Sequence, residues 1–319
     1  MMFATRRMLG FAVALALLVP LAFRAQVTIT PRPKPAPKEE TQRPANIRVE
    51  THLVLIPVSV NDPLNRPVSG LEKENFRVYD DKVEQTISQF AMDDESIAAG
   101  LVFDTSGSMG DKLRMSRMAA RVFFHIADRD DEFFLVEFDS APHLRVPLTS
   151  DTGAIEQELL FSKSKGSTSL LDAIYLALQE MRKSKKNKKA LLLITDGGDN
   201  NSRYSVTEVR KLIAESDVLI YAIGVFGGGS SPEESYGPEL LAKIAESTGG
   251  RMFVANSAEL PDMARKIGIE LRNRYILGFQ PTSQVRDGKY HHVLVKVVPP
   301  RGLPHLQAHW RTGYNAPDR

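Results

Sequence analysis

Five side chains with oxygen ligands occur at three points of the sequence, each beside an apolar stretch: Asp104, Ser106, Ser108, Thr168 and Asp196. The two hydroxyls that follow the first carboxylate lie on a tight turn containing Gly107, so they can converge with it on one hard cation. A small cage of carboxylates, hydroxyls and water suits Mg²⁺, with Mn²⁺ and Ca²⁺ as alternatives. These residues therefore predict a divalent-cation site.

The elements around these residues bring them to one edge of a predicted sheet. Apolar strands alternate with amphipathic helices between residues 98 and 271, which is typical of a parallel sheet covered on both faces. The strands are predicted at 98–103, 133–138, 190–195, 218–225 and 251–255, and the helices at 112–127, 170–181, 206–215, 238–247 and 260–271. Ligands of such sheets bind at the carboxyl ends of the strands. We therefore predict an α/β fold with a doubly wound, mostly parallel sheet that carries the site.

Ordinary structural roles are the alternative for these polar residues. Ser106 and Ser108 are also suitable caps for the following helix, and Asp196 is a common turn residue. Capping alone, however, would not require all five side chains. Two further acids are interpreted without a metal: Asp199 as a solvated loop residue rather than a second layer around the site, and Asp139 as a hydrogen-bonding residue at a strand end.

Short β-strands are predicted on both sides of the alternating region. The segment 47–92 contains three strand patterns separated by turn residues, and 274–314 contains three more, at 274–279, 290–298 and 305–314. Neither segment is large enough to form a secure core alone. We predict that they pack together as one small β-sandwich into which the α/β domain is inserted, because domain termini usually lie close together.

The N-terminal region has the pattern of an export signal. Arg6 and Arg7 precede an uncharged run from residue 8 to residue 23, which Arg24 and Ala25 follow. An uncleaved membrane anchor is the alternative, although the run is shorter than the roughly 20 residues that a span needs. Prolines and charges dominate residues 26–45, which are predicted to form an extended linker. The protein is therefore expected to be exported, to the periplasm or the exterior.

Charge and cysteine content exclude several other classes of site. The formal net charge is +2, and it changes little when the signal is removed, so the chain has no broad positive field for nucleic acid. Membrane contact is expected only through an uncleaved N-terminal anchor. The absence of cysteine excludes disulfides, thiolate zinc sites and a cysteine nucleophile. His291 and His292 are neighbours on a predicted strand and should face opposite ways, which argues against a shared metal.

The sequence resembles a von Willebrand factor A domain with a complete metal-ion-dependent adhesion site. The pattern of that family is Asp-x-Ser-x-Ser after the first strand, a threonine before a central helix and an aspartate after a central strand, and all five positions match here. The flanks, including VLIPVSVNDPLNRPVSGLEKENFRVYDD, resemble exported A-domain proteins abundant in Acidobacteria. The predicted organisation is a signal peptide at 1–25, a proline-rich linker at 26–45, a β segment at 46–95, the A-like domain at 96–271 and a second β segment at 272–319.

The resemblance implies a role for each residue of the site. Ser106, Ser108 and Thr168 would contact the metal through their hydroxyls, and Asp104 and Asp196 would contact it directly or through water. One coordination position would stay open for a carboxylate on a protein or matrix ligand. The expected function is a non-catalytic adhesion or protein-binding module. The alternatives are a scaffold for an envelope complex and a metal-dependent hydrolase, of which the second is disfavoured because no histidine lies in the metal loops.

Overall fold

A computed structural model of the chain describes residues 53–226, 232–282 and 288–316. The predicted signal peptide and proline-rich linker lie outside the described residues. Within these ranges no helix combines the length and the hydrophobicity needed to cross a membrane. The described residues fall into one compact unit that contains an α/β domain and a β-sandwich.

The α/β domain is built on a six-stranded sheet. Its strands are β5 (Ile97–Asp104), β6 (Glu132–Phe138), β7 (Pro142–Thr149), β8 (Lys188–Thr195), β9 (Val218–Gly224) and β10 (Met252–Val254). Their order is β10-β9-β8-β5-β6-β7, and all neighbours are parallel except β6 and β7. Every residue of β5 is buried, as expected for a central parallel strand with both faces covered.

Six helices cover the two faces of this sheet. They are α1 (Leu113–Phe124), α2 (Thr152–Phe161), α3 (Leu170–Met181), α4 (Val206–Ala214), α5 (Pro232–Ser247) and α6 (Leu260–Arg272). Alternate side chains of β5 enter two separate cores: Leu101 and Phe103 pack with α1, α2 and α6, whereas Val102 packs with α3 and α4. The predicted doubly wound α/β fold is confirmed, and β7 is the strand that makes its sheet mixed.

The sequence patterns did not predict β7 or α2. In β7, half-buried and exposed residues alternate along much of the strand. Pro142 begins the strand and Pro147 lies within it, which is tolerated because β7 is at the edge of the sheet. Helix α2 begins at a clear cap, since the Asp151 carboxylate accepts hydrogen bonds from the amides of Gly153 and Ala154. Only Ile155 and Leu159 of this helix are buried, so its apolar pattern is weak.

The strands before and after the α/β domain form one β-sandwich, as predicted. They are β1 (Val54–Asn61), β2 (Phe76–Asp80), β3 (Val83–Gln85), β4 (Ile87–Asp93), β11 (Arg274–Phe279), β12 (Tyr290–Val297), β13 (Gln307–Trp310) and β14 (Gly313–Asn315). One sheet has the order β13-β1-β11-β4 and the other β14-β12-β2-β3. Strands from the two halves of the chain therefore interleave, and they share a core that includes Ile56, Phe76 and Tyr275.

Two predicted strands of the sandwich are each divided between its sheets. The pattern at 85–90 is split, because Gln85 pairs with Val78 in one sheet while Ile87 pairs with Phe279 in the other. The pattern at 305–314 is likewise split into β13 and β14. Chains change sheet in this way at the corners of sandwiches, where a bend carries the strand from one sheet to the other. The prediction of single strands in both places was wrong for this reason.

The sandwich joins the α/β domain at the amino ends of the parallel strands. Arg274 is registered opposite Asp93 in the ladder of β11 with β4, so the chain enters and leaves the α/β domain at adjacent positions. The Arg274 guanidinium bonds the buried Asp93 carboxylate at 2.6 Å, and Lys188 Nζ lies 3.3 Å from the same carboxylate. Burial, with the nearby charge of Arg274, lowers the pKa of Lys188 to about 8.

A second buried polar group joins the two parts. The Glu270 carboxylate at the end of α6 accepts hydrogen bonds from Asn61 Nδ2 of the sandwich at 3.1 Å and from the Tyr221 hydroxyl of β9 at 2.9 Å. Arg251 bonds the same carboxylate and reaches Asn65 of the sandwich at 2.9 Å. These contacts hold the sandwich against the amino end of the sheet, opposite the edge where the predicted site lies.

His309 of β13 is expected to make the stability of the protein depend on pH. Burial, together with the charge of Arg251, lowers the pKa of His309 to about 4. Between pH 6.5 and 4 the unfolded chain therefore binds a proton that the folded chain does not, so stability falls as the pH falls. We expect the parent to lose on the order of 1 kcal/mol more than His309→Phe between pH 7 and pH 5, after allowance for partial exposure.

Urea denaturation of both proteins at the two pH values measures this difference. Other acidic and histidine groups titrate equally in both proteins, so they cancel in the comparison. Identical losses of stability would show that His309 binds its proton as readily in the folded protein as in the unfolded chain.

Candidate metal centre

The first loop of the site begins where β5 ends. Asp104, the last residue of β5, is completely buried, and its Oδ1 accepts a hydrogen bond from the Ser106 amide at 2.8 Å. The Thr195 hydroxyl, at the end of the adjacent strand β8, donates to Asp104 Oδ2 at 2.5 Å. Burial, with a smaller contribution from the charge of Asp196, raises the pKa of Asp104 to about 6, although the hydrogen bonds from Ser106 and Thr195 act to lower it.

Two serine hydroxyls connect Asp104's loop to Asp196. The Ser106 and Ser108 hydroxyls lie 3.2 Å apart, and the Ser108 hydroxyl donates to Asp196 Oδ1 at 2.8 Å. Asp196, directly after β8, is 1% exposed. The structure therefore brings together four of the five predicted residues, from two neighbouring strands, at the carboxyl edge of the sheet.

Thr168, the fifth predicted residue, lies in the loop before α3. This loop is hydrogen-bonded to the loop after β5 and to the loop after β8. The Gly107 amide donates to the Gly166 carbonyl at 3.0 Å, and Asn200 Oδ1 accepts from the Thr168 amide at 2.9 Å. Gly166 has a φ of +77°, and a Cβ there would lie 2.6 Å from Ser140 Oγ, so this close approach requires glycine. Within the described residues, no hydrogen bond joins the Thr168 hydroxyl to the other four side chains.

The neighbouring acids have structural contacts. The Asp139 carboxylate accepts from the Ala141 amide at 3.2 Å, in agreement with its interpretation as a hydrogen-bonding residue at a strand end. Asp199 is half-buried, and its Oδ1 accepts from the Ser202 hydroxyl at 2.5 Å and the Leu171 amide at 3.4 Å. Burial raises the pKa of Asp199. The interpretation of Asp199 as a solvated loop residue was therefore wrong, because it supports the first turn of α3.

Sequence reasoning missed two residues that contact the site. Thr195 was regarded only as part of a strand, although its hydroxyl bonds Asp104. Lys112 was regarded only as part of a helix, yet its Nζ lies 2.7 Å from Asp196 Oδ2. The spacing gives no clear signal for this contact, since residues 107–112 form a 3₁₀ turn, in which residues three apart share a face and Lys112 follows Ser108 by four.

A second group of potential metal ligands lies in the sandwich. His291 is buried and His292 exposed, so the predicted opposite orientations are confirmed. His291 Nδ1 lies 3.0 Å from Asp81 Oδ2 and 3.5 Å from Asp80 Oδ1, and the Tyr314 hydroxyl donates to Asp80 Oδ2 at 3.0 Å. These contacts join the turn after β2 to β12 and β14, which gives the group a structural role.

The donor set at the carboxyl edge fits a hard divalent cation. Its ligand atoms are carboxylate and hydroxyl oxygens, which Mg²⁺ prefers. Asp104 and Asp196 are both buried, and the raised pKa of Asp104 reflects the cost of keeping that carboxylate charged there. A cation bound between them would favour the charged form of both.

Sequence and fold comparisons identify proteins that are similar to the region carrying this site. Residues 100–198, which include all five predicted ligands, match the von Willebrand factor type A domain family. The fold is similar to that of a von Willebrand factor type A protein from Catenulispora acidiphila, with a TM-score of 0.50 at 14% identity over 83% of this chain and 63% of that one. The match and the shared fold together support a von Willebrand factor A domain protein.

Two further proteins share sequence with part of the chain. An uncharacterized protein of Borreliella burgdorferi is 27% identical over 55% of this chain and 62% of its own length. The calcium-activated chloride channel regulator 3A-1 of Mus musculus is 28% identical over 49% of this chain and 17% of its own length. The chain thus spans less than two thirds of either relative, and the similarity concerns the shared region.

Proposed function

We propose that this chain is an exported, non-catalytic protein-binding module that depends on a divalent cation. The metal, Mg²⁺ with Mn²⁺ or Ca²⁺ as alternatives, would be held by Asp104, Ser106, Ser108, Thr168 and Asp196. An acidic group on a protein or matrix partner would complete its coordination. The bound metal supplies a positive charge to which a carboxylate can be attracted in a partly dry site.

The observation that carries this proposal is the convergence of oxygen atoms from two strand ends. Asp104 and Ser108 lie on the loop after β5, whereas Asp196 follows β8, far away in the sequence. Contacts no longer than 3.2 Å nevertheless connect the two loops: the Ser106 amide donates to Asp104, the hydroxyls of Ser106 and Ser108 are in contact, and the Ser108 hydroxyl donates to Asp196. Helix capping does not account for this arrangement, because neither serine makes a side-chain cap at the following 3₁₀ turn or helix. A cation site accounts for both the buried acids and the hydroxyls around them.

A binding role is favoured over hydrolysis because both acids of the cluster, Asp104 and Asp196, are expected to bind the metal. Metal-dependent hydrolysis usually needs a general base beside the metal to take a proton from water. The ionisable side chains hydrogen-bonded or ion-paired within this cluster, in the described part of the chain, are Asp104, Asp196 and Lys112. Both acids are expected ligands, and the lysine is a cation, so none of the three is available as a base.

Export is supported by the sequence before the folded region. The basic pair Arg6-Arg7, the apolar run and the following proline-rich segment are the pattern of a signal and a spacer.

The sandwich contacts the amino end of the sheet through Asp93, Lys188 and Arg274. The metal edge therefore faces away from the sandwich, where a partner can reach it.

Paramagnetic Mn²⁺ tests the proposal on the full chain. We expect one Mn²⁺ to bind per molecule, and a short peptide with a single glutamate side chain to displace metal-bound water, lowering the water-proton relaxation rate. The matched peptide with glutamine should leave that rate unchanged. Asp104→Ala should lose the bound Mn²⁺, whereas Asp139→Asn, a neighbouring acid outside the cluster, should keep it. Bound Mn²⁺ whose water is unaffected by the glutamate peptide would refute the carboxylate-binding role.

A further inference from the structure

The ion pair of Lys112 with Asp196 places a cationic group inside the candidate metal centre. Lys112 Nζ lies 2.7 Å from Asp196 Oδ2, with the lysine side chain 15% exposed and the aspartate 1% exposed. Surface ion pairs contribute little, but this pair is largely removed from solvent, so its attraction is weakly screened.

Both oxygens of Asp196 are therefore engaged by the protein itself. Oδ1 accepts a hydrogen bond from the Ser108 hydroxyl, and Oδ2 contacts the Lys112 ammonium. A cation that binds Asp196 through Oδ2 must take the place of that ammonium. A metal bound through Oδ1 would still be repelled by the Lys112 ammonium at the other oxygen of the same carboxylate.

The position of Lys112 in the chain allows it to leave. Its backbone lies at the junction of the 3₁₀ turn 107–112 and α1, and is held by helical hydrogen bonds. The ammonium, in contrast, is carried on a flexible stem of four carbons with three donors that rotate freely. The side chain can therefore turn away from Asp196 while the loop that carries Ser106 and Ser108 keeps its shape.

We propose that Lys112 is a tethered competitor of the divalent cation at Asp196. In the metal-free protein its ammonium pairs with Asp196 and partly neutralises the combined negative charge of Asp196 and Asp104. Metal binding displaces it, so the strength of this ion pair sets the cation concentration at which the site is filled. The inference rests on the proposed function, because it takes the five predicted residues as the ligands of the metal.

Two variants of Lys112 separate competition from a structural role. Lys112→Met removes the charge and keeps much of the apolar stem, so it should bind Mg²⁺ at least tenfold more tightly than the parent. It should also be less stable without metal, because Asp196 is left buried without its cation. Lys112→Arg should bind Mg²⁺ no more tightly than the parent, since a planar guanidinium pairs with carboxylate through two donors.

The measurement is calorimetric titration of the full chain with Mg²⁺, with Lys165→Met as the matched control. Lys165 is an exposed lysine on a neighbouring loop, 3.9 Å from Asp139 rather than at Asp196. Its removal should change Mg²⁺ affinity by less than about twofold, because exposed charges are screened by salt. Equal affinities in the parent and Lys112→Met, or weaker binding in Lys112→Met, would overturn the competition.

A measurement on the parent keeps the test decisive if Lys112→Met does not fold. Brief treatment with an amine-acylating reagent, followed by peptide mass spectrometry, reports the accessibility of Nζ. Saturating Mg²⁺ should raise the labelling of Lys112 several-fold and leave Lys165 unchanged. An unchanged rate at Lys112, in a parent whose Mg²⁺ binding depends on Asp104, would refute the displacement and leave the proposed function standing. Mg²⁺ binding that persists in Asp104→Ala would refute the proposed site itself.

Discussion

Asp104→Ala is expected to abolish the stabilisation of this protein by Mg²⁺ while leaving the fold intact. A cation that binds only the folded parent raises its free energy of unfolding by about 2.7 kcal/mol at 100 times the dissociation constant. Without metal the effect should be small, because relief of the repulsion between Asp104 and Asp196 opposes the loss of the hydrogen bonds from Ser106 and Thr195. Thermal melts with Mg²⁺ and with chelator measure both effects.

The matched control for this substitution is Asp139→Asn. Asp139 also follows directly on a strand of the sheet, but its carboxylate bonds the Ala141 amide instead of the cluster. It should keep the full response to Mg²⁺. Equal responses in the parent and Asp104→Ala would contradict the assignment of the site. A response lost in Asp104→Ala with partner capture unchanged would retain the metal and refute its role in adhesion.

Of the substitutions proposed here, Asp93→Ala is expected to lower the free energy of unfolding the most. Asp93 lies at the junction between the sandwich and the α/β domain. The substitution removes the shared buried partner of Lys188 and Arg274, whose side chains are 2% and 5% exposed. Breaking a buried pair by removing one member costs about 3–5 kcal/mol, because a charge is left without compensation. The pKa of Lys188 is already lowered, so part of this cost can be relieved by its deprotonation.

Urea denaturation followed by circular dichroism measures this loss, and Asp94→Ala is its control. Asp94 is the next residue along the chain and is exposed, so its removal should change stability by less than about 0.5 kcal/mol. Similar stabilities for the two variants would show that the ion pairs at Asp93 do not hold the junction together.

The candidate site was predictable from the sequence because its residues follow directly on apolar strands. The α/β alternation predicts that Asp104 and Asp196 lie at the same edge of the sheet, and the resemblance to the family pattern selects them from the acids there; the adjacency of β5 and β8 is supplied by the structure. Lys112 does not stand out in the sequence, because a lysine is not a metal ligand of the predicted type and its position in an amphipathic segment favours a solvated surface. Thr195 was missed because its position within a strand suggested only burial.

Features of the fold that depend on tertiary contacts were harder to predict from the sequence. Strand β7 and helix α2 carry weak apolar patterns, because no residue of β7 is fully buried and α2 buries only Ile155 and Leu159. At the corners after Gln85 and Trp310 the chain changes its hydrogen-bonding partner from one sheet to the other, a change that depends on distant strands and has no local sequence signal. The pairing of the two flanking halves was predictable on grounds of size, since neither could bury a core alone.

The adjacency of Asp93 and Arg274 has a consequence for the order in which the chain folds. During synthesis the first four strands emerge before β11, which lies between β1 and β4 in the finished sheet. Joining them across an unfolded α/β segment would cost about 4–5 kcal/mol of loop entropy from its length alone. The folded α/β domain holds its two ends side by side and removes that cost. We therefore expect the inserted domain to fold first and the sandwich to close last. A defect in the early step would leave the edges of β1 and β4 open to other nascent chains.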